Sequence, residues 1–497
     1  AEDARADLST LALALEPAAS VAVIGPGGGI DVQNALALGA REVTAVEINP
    51  VIIQLVTGRY ADHVAHVFSD PRVTLVRDEG RSYIGRCGRR FSAIELTLID
   101  TWAASVSGAY SLSENYLYTP GAFTAYLSHL EPGGCLSITR WHYEMPRLVS
   151  LARSALASLG VSEPSSHIAV VGQSLRSVLV VKREPFTEAE ADTVRAFASA
   201  SRRRLLHDPL RPAGANILDA LLLEADVRPI VESSEVALAP VSDESPFFFQ
   251  MTRWKSLRLG MLRQFGGQAF LDPLAVPVGQ IALLAALAVG LLMSALLLAV
   301  PLTHGAVPRP GRWTWLGYFL ALGVAYIMVE VVLMQRLALF LGHPTYSVTA
   351  VLFSILLFSG LGSGWSDRRR EPTARIARTL RWVLPAAILL VVFAVPPLLR
   401  ALIWLPLPLR MLTATVVIAP LAFLMGLPFP LAVRVLAARG GRHIPWGWAA
   451  NGCGSVLGSV IAVLGAMLWN FSAVLIAAGA LYAMALARLS RIDEVES

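Results

Sequence analysis

Apolar and polar positions follow two rhythms along this chain, and the rhythm changes near residue 270. Up to that point, short apolar runs bounded by turn formers recur at Val21 to Gly25, Val43 to Glu47, Val73 to Val76, Ala93 to Ile99 and Cys135 to Thr139. Continuous rather than alternating apolarity predicts strands buried on both faces, as in a parallel sheet. Amphipathic helical patterns lie between them, such as Asp31 to Leu38, closed by Gly39, and Pro120 to Leu130, closed near Pro132, Gly133 and Gly134. His167 to Val171 and Arg176 to Lys182 flank the turn-prone Gly172-Gln173-Ser174 and predict an antiparallel hairpin. Thr187 to Ala200 reads as a further helix. The stretch through residue 245 is less regular and ends in Ser242-Asp243-Glu244-Ser245-Pro246 before an aromatic run.

From Pro277 onward the apolar runs are long enough to cross a bilayer, which takes about 20 helical residues. Spans are expected at 277 to 301, 314 to 341, 346 to 364, 382 to 404, 409 to 433, 445 to 467 and 469 to 488. The domains expected are 1–185, a nucleotide-binding α/β unit; 186–270, a helical extension and linker; and 271–497, an all-α, multi-pass transmembrane bundle. Arg368, Arg369, Arg370, Arg375, Arg378 and Arg381 fall between the third and fourth spans, and Arg434, Arg439 and Arg442 between the fifth and sixth. The excess of arginine marks both loops, and the C-terminus after Arg488 and Arg491, as cytoplasmic. An odd number of spans then puts the first domain outside, where a nucleotide-using enzyme is not expected. Either one run is re-entrant or the domain is external.

Composition agrees with a membrane portion: of 497 residues, 55% are apolar and 15% charged. Lys182 and Lys255 are the only lysines, so the basic excess is arginine clustered between apolar runs, a placement that suits membrane orientation rather than nucleic-acid binding. Cys87, Cys135 and Cys453 are scattered without a CxxC pair or histidine cluster, so neither a disulfide framework nor a metal site is expected. The chain opens on Ala1 without a signal-peptide pattern, the expectation for a fragment whose true N-terminus is missing.

Candidate chemistry concentrates in VAVIGPGGGID, Val21 to Asp31, followed by VTAVE, Val43 to Glu47. A strand runs into a glycine turn, a helix opens, and a second strand ends on an acid, the pattern of a nucleotide-binding βαβ unit. Ile30 stands where a dinucleotide fingerprint needs its third glycine, so only the GxGxG form, Gly25, Gly27 and Gly29, remains. Asp31 opens the helix, and Glu47 sits where a carboxylate can accept from both hydroxyls of a ribose. In Arg77-Asp78-Glu79-Gly80-Arg81, after the third strand, an acid can accept from an adenine amino group; the alternative is a solvated charged turn.

Val21 to Ile52, Asp70-Pro71-Arg72-Val73, Asp78 to Ile84 (DEGRSYI) and Leu130 to Gly134 (LEPGG) together resemble the spermidine synthase family, the polyamine aminopropyltransferases, over roughly residues 15 to 185. The resemblance implies a class I methyltransferase-like, Rossmann-type fold that binds S-adenosylmethionine or decarboxylated S-adenosylmethionine as donor. The loop Gly25 to Gly29 would line that donor, Glu47 hold its ribose, and Asp78 or Glu79 its adenine. In the family the fourth strand ends in a DxxDP-type pair of acids, the first of which is the base for the attacking amine. Here Thr97 takes the first position and Asp100 the second. A threonine cannot take a proton from an ammonium near neutral pH, so Asp100 is the candidate to orient or deprotonate the acceptor. Glu114 and Tyr116, within Tyr110 to Thr119, are its candidate helpers, the alternative being a capping segment for the next helix. Trp141 and His142 are either a pocket wall or packing.

The membrane half, through Gly323 to Gly362, Met425-Gly426-Leu427-Pro428-Phe429-Pro430 and Ile444 to Gly458, resembles transporter-like bundles fused to such a domain. Glu330, Gln335, Arg336 and His343 are polar groups in or beside apolar runs, and Gly452, Gly454, Ser455, Gly458 and Ser459 would let helices approach closely. The expected partners are a small-molecule amine or another nucleophilic acceptor and the lipid bilayer, with no nucleic acid and a homo-oligomer left open. The expected location is the bacterial plasma (inner) membrane. Two readings follow: a membrane-bound transferase, polyamine aminopropyltransferase-like or methyltransferase, or a transporter-like protein whose nucleotide-binding domain does no chemistry.

Overall fold

A computed structural model describes residues 2–15, 20–99, 115–200, 203–256, 278–303, 311–368 and 372–492. The chain separates into two units, Ala1–Gly279 and Gln280–Ser497.

Short helices α1 (Glu2–Ala6) and α2 (Leu11–Leu15) precede β1 (Ser20–Ile24), α3 (Ile30–Ala37), β2 (Glu42–Glu47), α4 (Pro50–Thr57), β3 (Val73–Arg77), α5 (Gly80–Ile84) and β4 (Phe91–Thr97). Then come α6 (Pro120–Ser128), β5 (Leu130–Trp141), α7 (Met145–Ser158), the hairpin β6 (Ile168–Gln173) and β7 (Arg176–Lys182), α8 (Glu188–Ser199) and β8 (Arg204–His207). Helices α9 (Ile217–Leu223) and α10 (Arg228–Ser233) close the unit. The strands form one sheet in the order β3-β2-β1-β4-β5-β7-β6-β8. β1 to β5 pair in parallel, whereas β7 runs antiparallel to both β5 and β6. Reversal of strand order at β1, with the hairpin inserted beside β5, is the class I methyltransferase-type arrangement expected for this unit, and it opens a crevice at the carboxyl ends of β1 and β4.

Both faces of the sheet are covered, which is why its strands read as unbroken apolar runs. Val21, Val23, Val43, Ala45 and Ala93 pack beneath Leu8, Leu11, Val32 and Val194 on one side. Ala22, Ile24, Ile94 and Leu96 meet Phe123, Leu148 and Leu151 on the other. Beyond residue 186 the structure is not only helical, because β8 adds to the free edge of β6.

In the second unit, α11 (Val278–Thr303), α12 (Arg312–Leu341), α13 (Pro344–Arg368), α14 (Thr373–Ala401), the pair α15 (Leu407–Met425) and α16 (Pro428–Ala438), α17 (Ile444–Leu468) and α18 (Phe471–Ile492) provide seven helical segments long and apolar enough to cross a membrane. α14 begins at Thr373, ahead of its apolar run. The turns carrying Arg375, Arg378 and Arg381 continue the helix amphipathically, with Ile376, Ala377 and Leu380 buried. A window built on apolarity alone therefore starts too late.

Glycine sets the closest helix contacts. A Cβ on Gly323 of α12 would stand 2.2 Å from the Asn451 carbonyl oxygen of α17, and one on Gly454 would stand 2.3 Å from that of Leu320. Gly362 and Gly426 make the corresponding approach of α13 to the α15 end, at 2.2 Å from Phe423 O and 2.1 Å from Ser359 O. Of the small residues expected at such contacts, Gly454 and Gly458 touch α12, whereas Gly452 faces open space. Arg336 donates to Ser472 at 2.6 Å, and the His343 Nδ1 accepts from the amide of Thr345 at the start of α13.

Candidate active site

At the crevice, β1 ends and the chain must turn at once. Gly25 has φ +68°, and a Cβ there would fall 1.9 Å from Ile99 Cγ2, so the turn excludes any side chain. The amide of Gly25 donates to Val46 O at 2.9 Å, which ties the turn to the end of β2. Gly25, Gly27 and Gly28 line a cleft of about 410 Å³. Gly29 does not: with φ +83° it caps α3, and Val67 and Phe68 fill the space a Cβ would need. The expected GxGxG thus divides into a part that faces the cleft and a part that packs the helix.

Glu47 lines the same cleft at the end of β2 and is only 5% exposed. One carboxylate oxygen accepts from the Asn49 amide at 2.8 Å, while Asn49 itself caps α4. The second oxygen has no hydrogen bond among the described residues, which leaves acceptor capacity facing the cleft. Asp78 and Glu79, after β3, also line it. Asp78 accepts from the Glu79 amide at 2.8 Å and pairs with Arg86 at 2.5 Å. Glu79 caps α5 through the amides of Arg81 and Ser82 at 3.0 and 2.8 Å. Both acids are structural already, and a ligand amino group would be a further partner to either.

The β4 side of the cleft is built differently. Asp31, in the first turn of α3, is 5% exposed and accepts from the hydroxyls of Ser9 and Thr97. Burial outweighs those bonds and pushes its carboxyl up to about 6. Asp7, which caps the turn before α2 and accepts from the Ser9 amide at 3.0 Å, lines the cleft with Thr97, Leu98, Ile99, Leu117 and Arg176. Glu95, two residues before Thr97 on the same face of β4, is 2% exposed and its Oε1 has no hydrogen-bond partner among the described residues. Burial, with Asp31 and Asp7 nearby, holds it well above the usual carboxylate range.

Of the expected catalytic group, Asp100 and Glu114 lie outside the described residues. Tyr116 is described but does not line the cleft; its carbonyl accepts from Arg81 at 3.1 Å, and Leu117 takes the cleft-facing place. Arg81 in turn pairs with Asp243 at 2.6 Å, and Asp243 accepts from Thr119, the cap of α6. The Ser242-to-Pro246 segment is therefore fastened beside the site. His142 bonds Ser177 at 3.0 Å and stays out of the cleft. Asp7 and Arg176 escaped the sequence reading, since nothing local marks them. Glu95 was visible as a lone acid within an apolar strand. Among the described residues no group of histidine, cysteine and acidic side chains is placed to hold a metal ion.

A polyamine aminopropyltransferase from Hyperthermus butylicus is 30% identical over 141 residues, covering 28% of this chain and 44% of that protein. One from Nitrosomonas europaea is 30% identical over 145 residues, covering 29% of this chain and 42% of that protein. The N-terminal unit is polyamine aminopropyltransferase-like. The chain spans less than half the length of these curated relatives. No family model matches. Among solved structures, spermidine synthase from Thermotoga maritima superposes with a TM-score of 0.30 at 17% identity, covering 38% of this chain and 63% of that one. Human methyltransferase-like protein 13 in complex with SAH gives 0.27 at 18%, covering 43% and 91%. The fold stands on the strand order itself. The aminopropyltransferase-like unit is followed by the seven membrane-capable helical segments.

Proposed function

We propose that the protein is a membrane-bound transferase whose N-terminal unit takes an adenosyl-sulfonium donor, S-adenosylmethionine or its decarboxylated form, and passes a group from sulfur to a nucleophile. The observation that carries this reading is the placement of Glu47, buried at the end of β2, in one cleft with Gly25, Gly27, Gly28, Asp78 and Glu79. Ribose on Glu47 puts adenine toward the Asp78–Glu79 edge and the sulfonium over the glycine loop toward β4. The acceptor's lone pair forms a bond to the carbon beside sulfur as that carbon–sulfur bond breaks. Its electron pair returns to sulfur to leave a neutral thioether, and the acceptor sheds a proton. A positive leaving group makes positioning the main contribution, so the threonine at residue 97 does not forbid turnover. Asp100 is proposed to orient or deprotonate the acceptor, with Glu114 and Tyr116 assisting. The seven apolar segments support residence in a membrane, proposed as the bacterial plasma membrane.

The test is incubation of the full chain in detergent with labelled S-adenosylmethionine or its decarboxylated form, plus putrescine and spermidine. Labelled polyamine supports aminopropyl transfer. Donor binding without turnover across a broad acceptor screen favours the other reading, a transporter-like protein with a non-catalytic domain, to which Thr97 in the base position lends its weight.

A further inference from the structure

The two donors considered above differ by one carboxylate, and the cleft is lined by a cation, Arg176, as well as by acids. Arg176 opens β7 opposite Trp141 of β5. Two residues on, Val178 pairs with Thr139, which pairs with Thr97. Val178 and Val180 pack on the same face of the sheet as Val21 and Val23, and strand periodicity carries that face to Arg176. Asp31 and Asp7 stand over this face, Asp31 from α3 and Asp7 from the N-terminal segment; both line the cleft, as does Arg176. From β2 to β7 is four strand spacings, about 19 Å, and to β4 two, about 10 Å, so Arg176 and the two aspartates beside it stand on the side of the cleft away from Glu47.

The arginine is conspicuous by its partners. Arg81, Arg86 and Arg140 are each paired with an acid, and Arg147 is held by the carbonyls of Phe248 and Gln250. The guanidinium of half-buried Arg176 makes no hydrogen bond among the described residues, yet its charge reaches Asp31. A cation and two acids converging on one end of a cleft fit a ligand bearing both charges. An ammonium without a carboxylate would meet the acids but leave the guanidinium unmatched, with like charge beside it.

Resting on the donor reading above, we propose that Arg176, Asp7 and Asp31 form a subsite for an α-amino acid, Arg176 for its carboxylate and the two aspartates for its ammonium, so that the donor is S-adenosylmethionine itself. The bidentate fork of arginine suits a carboxylate. The group transferred is then the methyl or the 3-amino-3-carboxypropyl substituent and not the aminopropyl group.

Equilibrium binding to the full chain in detergent tests this with four probes: S-adenosylmethionine, S-adenosylhomocysteine, decarboxylated S-adenosylmethionine and 5′-methylthioadenosine. The first two are expected to bind at least about tenfold more tightly than the last two. Arg176→Gln should remove the advantage over decarboxylated S-adenosylmethionine while leaving methylthioadenosine binding unchanged, which also shows that the variant is folded; Arg176→Lys should restore part of it. Equal or tighter binding of the decarboxylated donor, or an Arg176→Gln effect equal on all four probes, overturns the subsite while the donor reading stands. Failure of all four probes to bind overturns both.

Discussion

Glu47 carries the donor reading at the scale of single residues. Glu47→Ala removes two acceptor oxygens from a buried position and should weaken every adenosyl ligand by about 1.5–3 kcal/mol, roughly ten- to a hundredfold, the usual worth of hydrogen bonds to a charged group. Calorimetric titration measures it, with unchanged far-UV circular dichroism as the control. Asp31 adds a pH dependence. It is faced by Asp7 from the N-terminal segment, Glu95 from β4 and Arg176 from β7, and burial raises it to about 6. A donor ammonium needs the ionised form, so the affinity of S-adenosylmethionine should fall about tenfold per pH unit well below 6 while that of methylthioadenosine stays level. The stability contribution has the opposite sense: with its folded value above the ordinary 3.8, Asp31 favours the folded state below about pH 4 and loses that contribution as pH rises through about 6. Glu47 and the glycine loop were legible in the sequence because they occupy one contiguous βαβ motif. Asp7 and Arg176 were not, because only the β5–β7 register and the packing of the N-terminal segment bring them together.

Among the elements, strands were the most legible, since burial on both faces requires continuous apolar runs. The four-residue β8 was not: Arg204 to His207 is an edge strand with too little apolar pattern to stand out. Helix ends shifted for the same kind of reason, as the arginine-bearing start of α14 shows. The α12–α17 contact yields a prediction at this scale. Replacing Gly454 by leucine forces a side chain into a space where even a Cβ would lie 2.3 Å from Leu320 O. The cost is expected to be at least about 2 kcal/mol, seen as a lower melting temperature and loss of monodisperse protein in detergent, whereas Gly452→Leu, facing open space, should be nearly neutral. Gly25→Ala makes the analogous test in the first unit, since it meets Ile99 with the backbone at φ +68°. Donor binding should be lost there before the sheet is.

For the whole molecule, if all seven apolar segments cross, the arginine-rich loops are expected to put residues 368–381, 434–442 and the C-terminus on one side of the membrane and the chain before the first crossing on the other. Protease added to sealed vesicles of known orientation should cut before residue 257 from the face opposite to labelled cysteines introduced at Arg378 and Arg439. Cleavage from the same face instead means an even number of crossings. The central claim, a donor cleft organised by Glu47, is tested most directly by titrating the full chain in detergent with S-adenosylmethionine, wild type against Glu47→Ala. The predicted result is saturable one-site binding that weakens at least tenfold in the variant; no binding by the folded wild type, or equal affinity in both, would contradict it.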